Sequence, residues 1–273
     1  MVEEKEIYQY FADYIFQHTG MIYNETDFYR LESRLKELAS FMGCNNLIDA
    51  YNAFRTNVSP TLHNKIIDIA TNNETYFIRD TKPFEAVAKH IIPELFQKKL
   101  SHEKVRIWSC ACSNGQEPYS ILMSILEENP SIDISSIEIT ATDISESCLK
   151  KAKSGLYTGL EVQRGLPITM LLKHFTKTDD ECWKINDSLT NAINFKEFNI
   201  VKDRYPIELY DIIFCRNVII YQNQENKKII VKNLFQSLKP NGHLFFGSGE
   251  SLIGTKLTYS QQDIANAMVF QKS

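Results

Sequence analysis

The chain has 273 residues, enough for one large domain or a domain with a smaller companion. Hydrophobic residues make up 43% and charged residues 23%, the balance of a soluble globular protein, and a net charge of -4 argues against broad nucleic-acid binding. No run is long and apolar enough to span a membrane, and the acidic start Met1-Val2-Glu3-Glu4 does not read as a secretory signal. Of six cysteines only Cys110 and Cys112 lie close together, and they alternate across a strand end. A zinc site needs two such pairs or added histidines, so the cysteines read as small buried residues in a reducing cytosol and no metal is expected.

Residues 5 to 70 read as helical throughout. Ile7, Phe11, Tyr14 and Ile15 form one apolar face, stopped at Gly20. Phe28, Leu31, Leu35 and Leu38 form a second, ended near Gly43. Leu47, Ala50, Tyr51 and Phe54 form a third, broken by Asn57-Val58-Ser59-Pro60, and Leu62, Ile66 and Ile69 form a fourth. Helices of this length make a small bundle. Arg30, Arg34 and Lys36 could dock an acidic partner, but Glu25, Asp27, Glu32 and Glu37 interleave with them and favour a solvated face. Residues 71–80 form a polar, aromatic connector with Asp80 as a helix cap. Phe84, Val87, Ile91 and Leu95 then mark an amphipathic helix ending near Ser101.

Val105 to Tyr119 is the organising stretch. Val105, Ile107 and Trp108 suit a buried strand, Ser113-Asn114-Gly115 breaks it, and Glu117-Pro118 opens a helix continued by Ile121, Leu122 and Ile125. A strand, a glycine-bearing turn and a helix form the first unit of a doubly wound α/β sheet, whose crevice binds ligands. A dinucleotide site would need more glycines there, and the Glu117 carboxylate would repel a pyrophosphate. It would attract a cation such as the sulfonium and ammonium groups of S-adenosylmethionine; alternatively it only complements the helix dipole. Ile137 to Thr142 forms a second strand ending on Asp143, an acid placed to accept hydrogen bonds from a ribose or to cap the helix Ser145 to Lys153.

Residues 155 to 192 break this rhythm and read as an insertion, with a helix over Met170 to Phe175 and a short strand over Cys182 to Ile185. Asn194 to Phe198 alternates like a strand, Tyr210 to Cys215 is a buried strand, and Gln224 to Leu238 is a helix. A Lys239-Pro240-Asn241-Gly242 turn, the strand His243 to Gly247 and a last strand Ala267 to Gln271 follow. An acid opening a late strand, such a turn and an apolar strand after it resemble the back half of a class I methyltransferase sheet.

Asn73-Glu-Thr75-Tyr-Phe-Ile-Arg79, Trp108-Ser-Cys-Ala-Cys-Ser-Asn-Gly-Gln-Glu117-Pro-Tyr-Ser, Ala141-Thr-Asp143-Ile and Phe214-Cys-Arg216-Asn217-Val-Ile-Ile-Tyr221 together resemble the bacterial chemotaxis receptor methyltransferases, the CheR family. Ser-Gly-Leu-Tyr157 is a fifth, weaker match, and the likeness covers essentially the whole chain. The resemblance implies an α/β class I S-adenosylmethionine-dependent methyltransferase (Rossmann-like) domain at 83–273, with an insertion at about 158–193. An all-α domain at 1–70 and a linker at 71–82 that contributes to the cofactor site would precede it.

The implied activity is a cytoplasmic protein-glutamate O-methyltransferase. It would esterify glutamates on the cytoplasmic helical region of chemoreceptors for sensory adaptation and release S-adenosylhomocysteine. The implied protein is a monomer with no nucleic-acid partner and no membrane insertion. Asn73, Thr75 and Arg79 would sit over the cofactor, with Ala111 beside it. Glu117 would meet its methionine end and Asp143 its ribose; Asn199 and Ile200 would flank the adenine; Arg216 and Asn217 would close the site. Arg79 and Tyr221 would position the substrate. The alternatives are a methyltransferase on a non-receptor substrate and a non-catalytic S-adenosylmethionine-binding regulator. The insertion between Phe175 and Phe195 looks shorter than in members that also grip a receptor-tail peptide, which implies that this chain needs no such tether.

Overall fold

The computed structural model describes residues 3–100, 102–250 and 259–272. Among these residues the chain forms a bundle of four helices, a seven-stranded sheet flanked by helices, and a separate three-stranded sheet. The bundle comprises α1 (Glu4–Thr19), α2 (Phe28–Phe41), α3 (Leu47–Thr56) and α4 (Pro60–Ala70). Several of the helix ends carry capping chemistry. Gly20 takes φ 72° after α1, the Asn46 side chain accepts from Asp49 N at the start of α3, and Ser59 with Pro60 opens α4. Phe11, Leu31, Leu35, Leu38, Phe54 and Ile66 are fully buried between them. On α4 Leu62, Ile66 and Ala70 are buried in the bundle core and Ile69 packs half-buried against it, while Ile67 is buried outside that cluster.

The expected basic face of α2 is not free. Arg34 Nη1 donates to the carbonyls of Ile69, Ala70 and Thr71, the last at 3.1 Å, and so satisfies the open C-terminal end of α4. Arg30 lies 3.7 Å from Asp27, and Lys36 pairs with Glu32 one turn away.

After the connector, α5 (Thr81–Glu85), a π-helical turn at Ala86–Ile91 and α6 (Ile92–Lys98) form one continuous helix. Ser101, near which its end was expected, lies outside the described residues. The elements β1 (Val105–Cys110), α7 (Gln116–Glu128), β2 (Ile137–Asp143) and α8 (Glu146–Ser154) follow. The insertion contains β3 (Leu156–Tyr157), α9 (Gly159–Gln163), α10 (Ile168–His174), β4 (Phe175–Lys177), β5 (Trp183–Ile185) and α11 (Asp187–Asn191). Its helix α10 thus starts two residues before Met170, and Phe175 begins a strand. The chain then returns to the main sheet with β6 (Ile193–Glu197), β7 (Tyr210–Cys215), α12 (Gln224–Ser237), β8 (Leu238–Phe246), β9 (Tyr259–Ile264) and β10 (Ala267–Lys272).

The main sheet runs β6-β2-β1-β7-β8-β10-β9, parallel from β6 to β8 and antiparallel at the β8-β10-β9 edge. The order reverses beside β1, which puts a ligand crevice at the carboxyl ends of β1, β2 and β7. Lys239–Gly242 falls within the bounds of β8 but loops out of it as the expected turn: β7 pairs with Leu238 and next with His243, and Asn241 takes φ 61° between them. The hairpin β9-β10 turns on Ala265 and Asn266, both with positive φ, the geometry of a two-residue turn that matches strand twist.

Candidate active site

A cleft opens at the carboxyl ends of β1, β2 and β7, beneath the connector between α4 and α5. All eleven residues expected at the site line it: Asn73, Thr75 and Arg79 from the connector, Ala111, Glu117 and Asp143 from the first two strand ends, and Asn199, Ile200, Arg216, Asn217 and Tyr221 from the far side.

The loop after β1 is a tight turn in which Ala111, Ser113 and Gly115 all have positive φ. A side chain on Gly115 would put Cβ 2.8 Å from that of Ala152, so the loop lies close on α8. Such a turn presents backbone N–H groups to the end of β2. Ser113 N donates to Asp143 Oδ2 at 2.7 Å, and Ser145 N to Oδ1 at 2.9 Å. Asp143 therefore brackets two loops and does not cap α8. That cap is Ser145, whose Oγ accepts from Cys148 N at 3.1 Å. Burial raises the Asp143 carboxyl above its ordinary range, against the three backbone donors that lower it. Each oxygen of an ionised carboxylate keeps a second lone pair, which leaves Asp143 able to accept from a ligand in the cleft. Ser113 Oγ also donates to Asn73 O at 2.8 Å and ties the connector to this loop.

At the end of β7, Arg216 is almost fully buried between two acids. Its Nη2 donates to Asp80 Oδ2 at 2.7 Å and to Arg79 O at 2.9 Å, and its Nη1 to Glu117 Oε2 at 3.1 Å. Ser109 Oγ donates to the other Glu117 oxygen at 2.8 Å. Two expectations change. Asp80 stands at the start of α5 but makes no side-chain cap there, because Arg216 takes its carboxylate. Glu117 is not a lone acid waiting for a cation, because it already has a guanidinium partner. Two carboxylates against one guanidinium still leave the trio one charge negative when both are ionised. Burial holds the Glu117 carboxyl above its ordinary range despite Arg216.

Beyond Arg216 the chain bends through Asn217 at φ 60° into a short 3-10 turn, Ile219–Tyr221. Glu250 holds this bend. Its Oε2 accepts from Asn217 N at 2.8 Å and Gly247 N at 2.7 Å, and its Oε1 accepts from Val218 N and Ile219 N at 2.8 Å each. Tyr221 Oη accepts from Asn72 Nδ2 at 2.6 Å, so the connector touches both rims of the cleft. Asn199 Nδ2 donates to His18 O at 2.7 Å, and Met21 bridges Gln222, which joins the bundle to the sheet beside the cleft. Asn72, Ser113 and Glu250 were not anticipated as site residues. Ser113 carried a turn signal; Asn72 and Glu250 carried none, because Tyr221 and the Asn217–Ile219 bend that they hold lie far away in sequence.

Parallel strands meeting a glycine-bearing turn, an acid closing the second strand and a cleft at the order reversal define the class: a Rossmann-like, S-adenosylmethionine-dependent methyltransferase fold. Residues 73–268 match the family described as CheR methyltransferase, SAM binding domain. The chain is 32% identical over 267 residues to the chemotaxis protein methyltransferase Cher2 of Pseudomonas putida, covering 97% of each. It is 35% identical over 250 residues to a chemotaxis protein methyltransferase of Vibrio parahaemolyticus, covering 90% of each. It is 30% identical over 247 residues to that of Borreliella burgdorferi, covering 89% of this chain and 87% of the relative. The chain belongs to the CheR methyltransferase family.

The cofactor is S-adenosylmethionine, and the donor set fits it. With both its acids ionised the Arg216 trio carries one net negative charge, and Glu117 and Arg216 of the trio line the cleft. Asp143 has acceptor capacity left for hydroxyl groups. Arg216 Nε is buried without a partner among the described residues, and that side chain lines the cleft, where a ligand carboxylate would satisfy it. No helix among the described residues is long and apolar enough to cross a membrane.

Proposed function

We propose that this chain methylates glutamate side chains on the cytoplasmic helical region of chemoreceptors, acting as a monomer in the cytoplasm during sensory adaptation. The observation that carries this reading is that both buried acids of the cleft are committed. Asp143 holds two backbone N–H groups, and Glu117 holds Arg216 and Ser109. Groups engaged in this way hold and orient. The nucleophile that suits such a site is one already ionised, and a glutamate carboxylate, with an unperturbed pKa of about 4.3, is an anion at neutral pH.

Bound S-adenosylmethionine supplies an electrophilic methyl group on a cationic sulfur. The protein's task is alignment and exclusion of water. Asp143 would take the ribose hydroxyls and Arg216 Nε the ligand carboxylate, while the negative trio would favour the cationic end. Ile200 and Asn199 would flank the base. Asn73 and Thr75 would cover the ligand from the connector, with Ala111 and Asn217 bounding it.

Arg79 and Tyr221 would orient the substrate carboxylate. Arg79 is available for this because Asp80 pairs with Arg216 instead; its Nη1 donates only to Glu74 O, at 3.1 Å, among the described partners. Charge disappears as an anion and a cation give a neutral ester and thioether. A tight ion pair on the attacking oxygen would therefore oppose reaction, and a single hydrogen bond serves better.

The test mixes the protein with methyl-labelled S-adenosylmethionine and receptor-bearing membranes, followed by mild base. Label on the receptor released as methanol is the expected result. Label on another molecule redirects the reading to a different substrate. Cofactor binding without transfer overturns it in favour of a regulator.

A further inference from the structure

Outside the cleft proper, the loop between α9 and α10 of the insertion meets the connector. Arg164 Nη2 donates to Glu74 Oε1 at 2.6 Å. Its guanidinium carbon sits 4.4 Å from the centre of the Tyr76 ring, and that of Arg79 sits 5.5 Å from the same ring. The backbone fixes this contact. Gly165 has φ 86°, and a Cβ there would come within 2.2 Å of Phe77 O. Phe77, fully buried, packs edge-on against Tyr157 and Phe175 of the insertion. Arg164 is thus delivered to the connector by chain geometry.

The charges form a gradient. Deep in the cleft, two carboxyl groups, Glu117 and Asp143, face one guanidinium, Arg216. At the mouth, Arg79 and Arg164 outweigh Glu74. Glu74, Tyr76 and Arg79 line the cleft and Arg164 stands just outside them. The Arg164–Glu74 pair is about half exposed on both sides, and such pairs hold weakly, so another carboxylate can replace Glu74.

We propose that Arg164 is a substrate-positioning residue. It receives an acidic side chain of the substrate protein next to the glutamate that reacts, and Glu74 occupies its guanidinium until the substrate arrives. Standing outside the cleft, Arg164 pairs with a neighbouring carboxylate, so its charge adds docking strength without burdening the oxygen that must lose charge. This rests on the glutamate-methylating reading above.

The test measures methyl-ester formation on a purified cytoplasmic receptor fragment, with S-adenosylmethionine affinity measured in parallel by calorimetry. Arg164→Ala should raise KM for the fragment about tenfold, with kcat within about twofold and cofactor affinity unchanged. Arg164→Lys should recover part of the loss, and Glu74→Gln should lower KM by freeing the guanidinium. On a fragment whose acids flanking the methylated glutamate are changed to glutamine, Arg164→Ala should add little. Wild-type activity with an unchanged KM in Arg164→Ala overturns the Arg164 role alone. So does a joint fall in kcat and cofactor affinity, which would mark a merely structural contact. A wild type that makes no base-labile ester overturns the glutamate reading, and the Arg164 role with it.

Discussion

Glu250→Gln is the sharpest probe of how the far wall of the cleft is held. Glu250 is 8% exposed, and its two oxygens accept from Asn217, Val218, Ile219 and Gly247, with Ile220 N a longer donor at 3.3 Å. An amide keeps one acceptor oxygen and turns the other position into a donor that faces N–H groups. Whichever way it turns, at least two short hydrogen bonds to a charged acceptor are lost. Each unsatisfied donor costs about 1–3 kcal/mol, so the substitution should cost about 3 kcal/mol after local relaxation. For a chain of this size that corresponds to roughly 6–12 °C in Tm. The same bend carries Arg216, Asn217 and Tyr221, so affinity for S-adenosylmethionine should fall as well. Thermal melts and calorimetric titration of wild type, Glu250→Gln and Glu250→Asp measure both effects. A Glu250→Gln melt within about 1 °C of wild type, with unchanged affinity, would refute the assignment of Glu250 as the clamp.

Asp143→Ala removes an acceptor offered to the cofactor and frees two backbone donors; affinity should fall by about 2 kcal/mol, about thirtyfold in Kd, and an unchanged titration would leave Asp143 a loop bracket alone. Arg79→Ala should lower turnover on the order of a hundredfold while much of the cofactor affinity survives, and normal turnover would remove Arg79 from the site. His18 and His63 meet between bundle and sheet at 4.7 Å, with Tyr14 Oη 2.8 Å from His63 Nδ1 and Lys202 Nζ 3.2 Å from His18 Nδ1. Burial lowers both imidazole pKa values; Lys202 lowers both further, and Glu197 partly opposes this at His63. The unfolded chain therefore binds protons first, so stability should fall as pH drops below about 6.5, and it should fall less in a His18→Gln/His63→Gln variant. Equal pH slopes would refute this. Receptors with and without a tail peptide should be methylated alike, and a strong loss on tail removal would count against the tether-free reading.

What could be read in advance follows from how local the chemistry is. Ser113-Asn114-Gly115 announces its turn, and the 3.6-residue spacing of Leu31, Leu35 and Leu38 announces its buried face, because both signals are complete within a few residues. The same holds for Asp143 at a strand end. Asp80 misled because its cap position is local while its partner, Arg216, arrives only on folding. Arg34 was read as a surface cation for the same reason: its acceptors are carbonyls at the end of another helix. The strand β9 was missed because Tyr-Ser-Gln-Gln-Asp-Ile is a polar sheet edge with little apolar alternation, and Ala265 is no usual turn former. Lys239–Gly242 has turn composition and is looped out of the pairing with β7 between Leu238 and His243, although it falls within the bounds of β8.

The strand order also dictates when the protein becomes an enzyme as it is made. The four helices of the bundle are neighbours in the chain and can pack early in synthesis. By contrast, β1 has β2 on one side and β7 on the other, and Ile107 must wait for Ile212. Until then one edge of the central strand is open, with unpaired N–H and C=O groups, and the wall carrying Arg216 and Tyr221 does not exist. A chain that stops short of β7 therefore leaves the ribosome with a formed bundle, an unprotected strand edge and no place to bind cofactor. Such a fragment would burden the cell's quality control while contributing nothing to methylation.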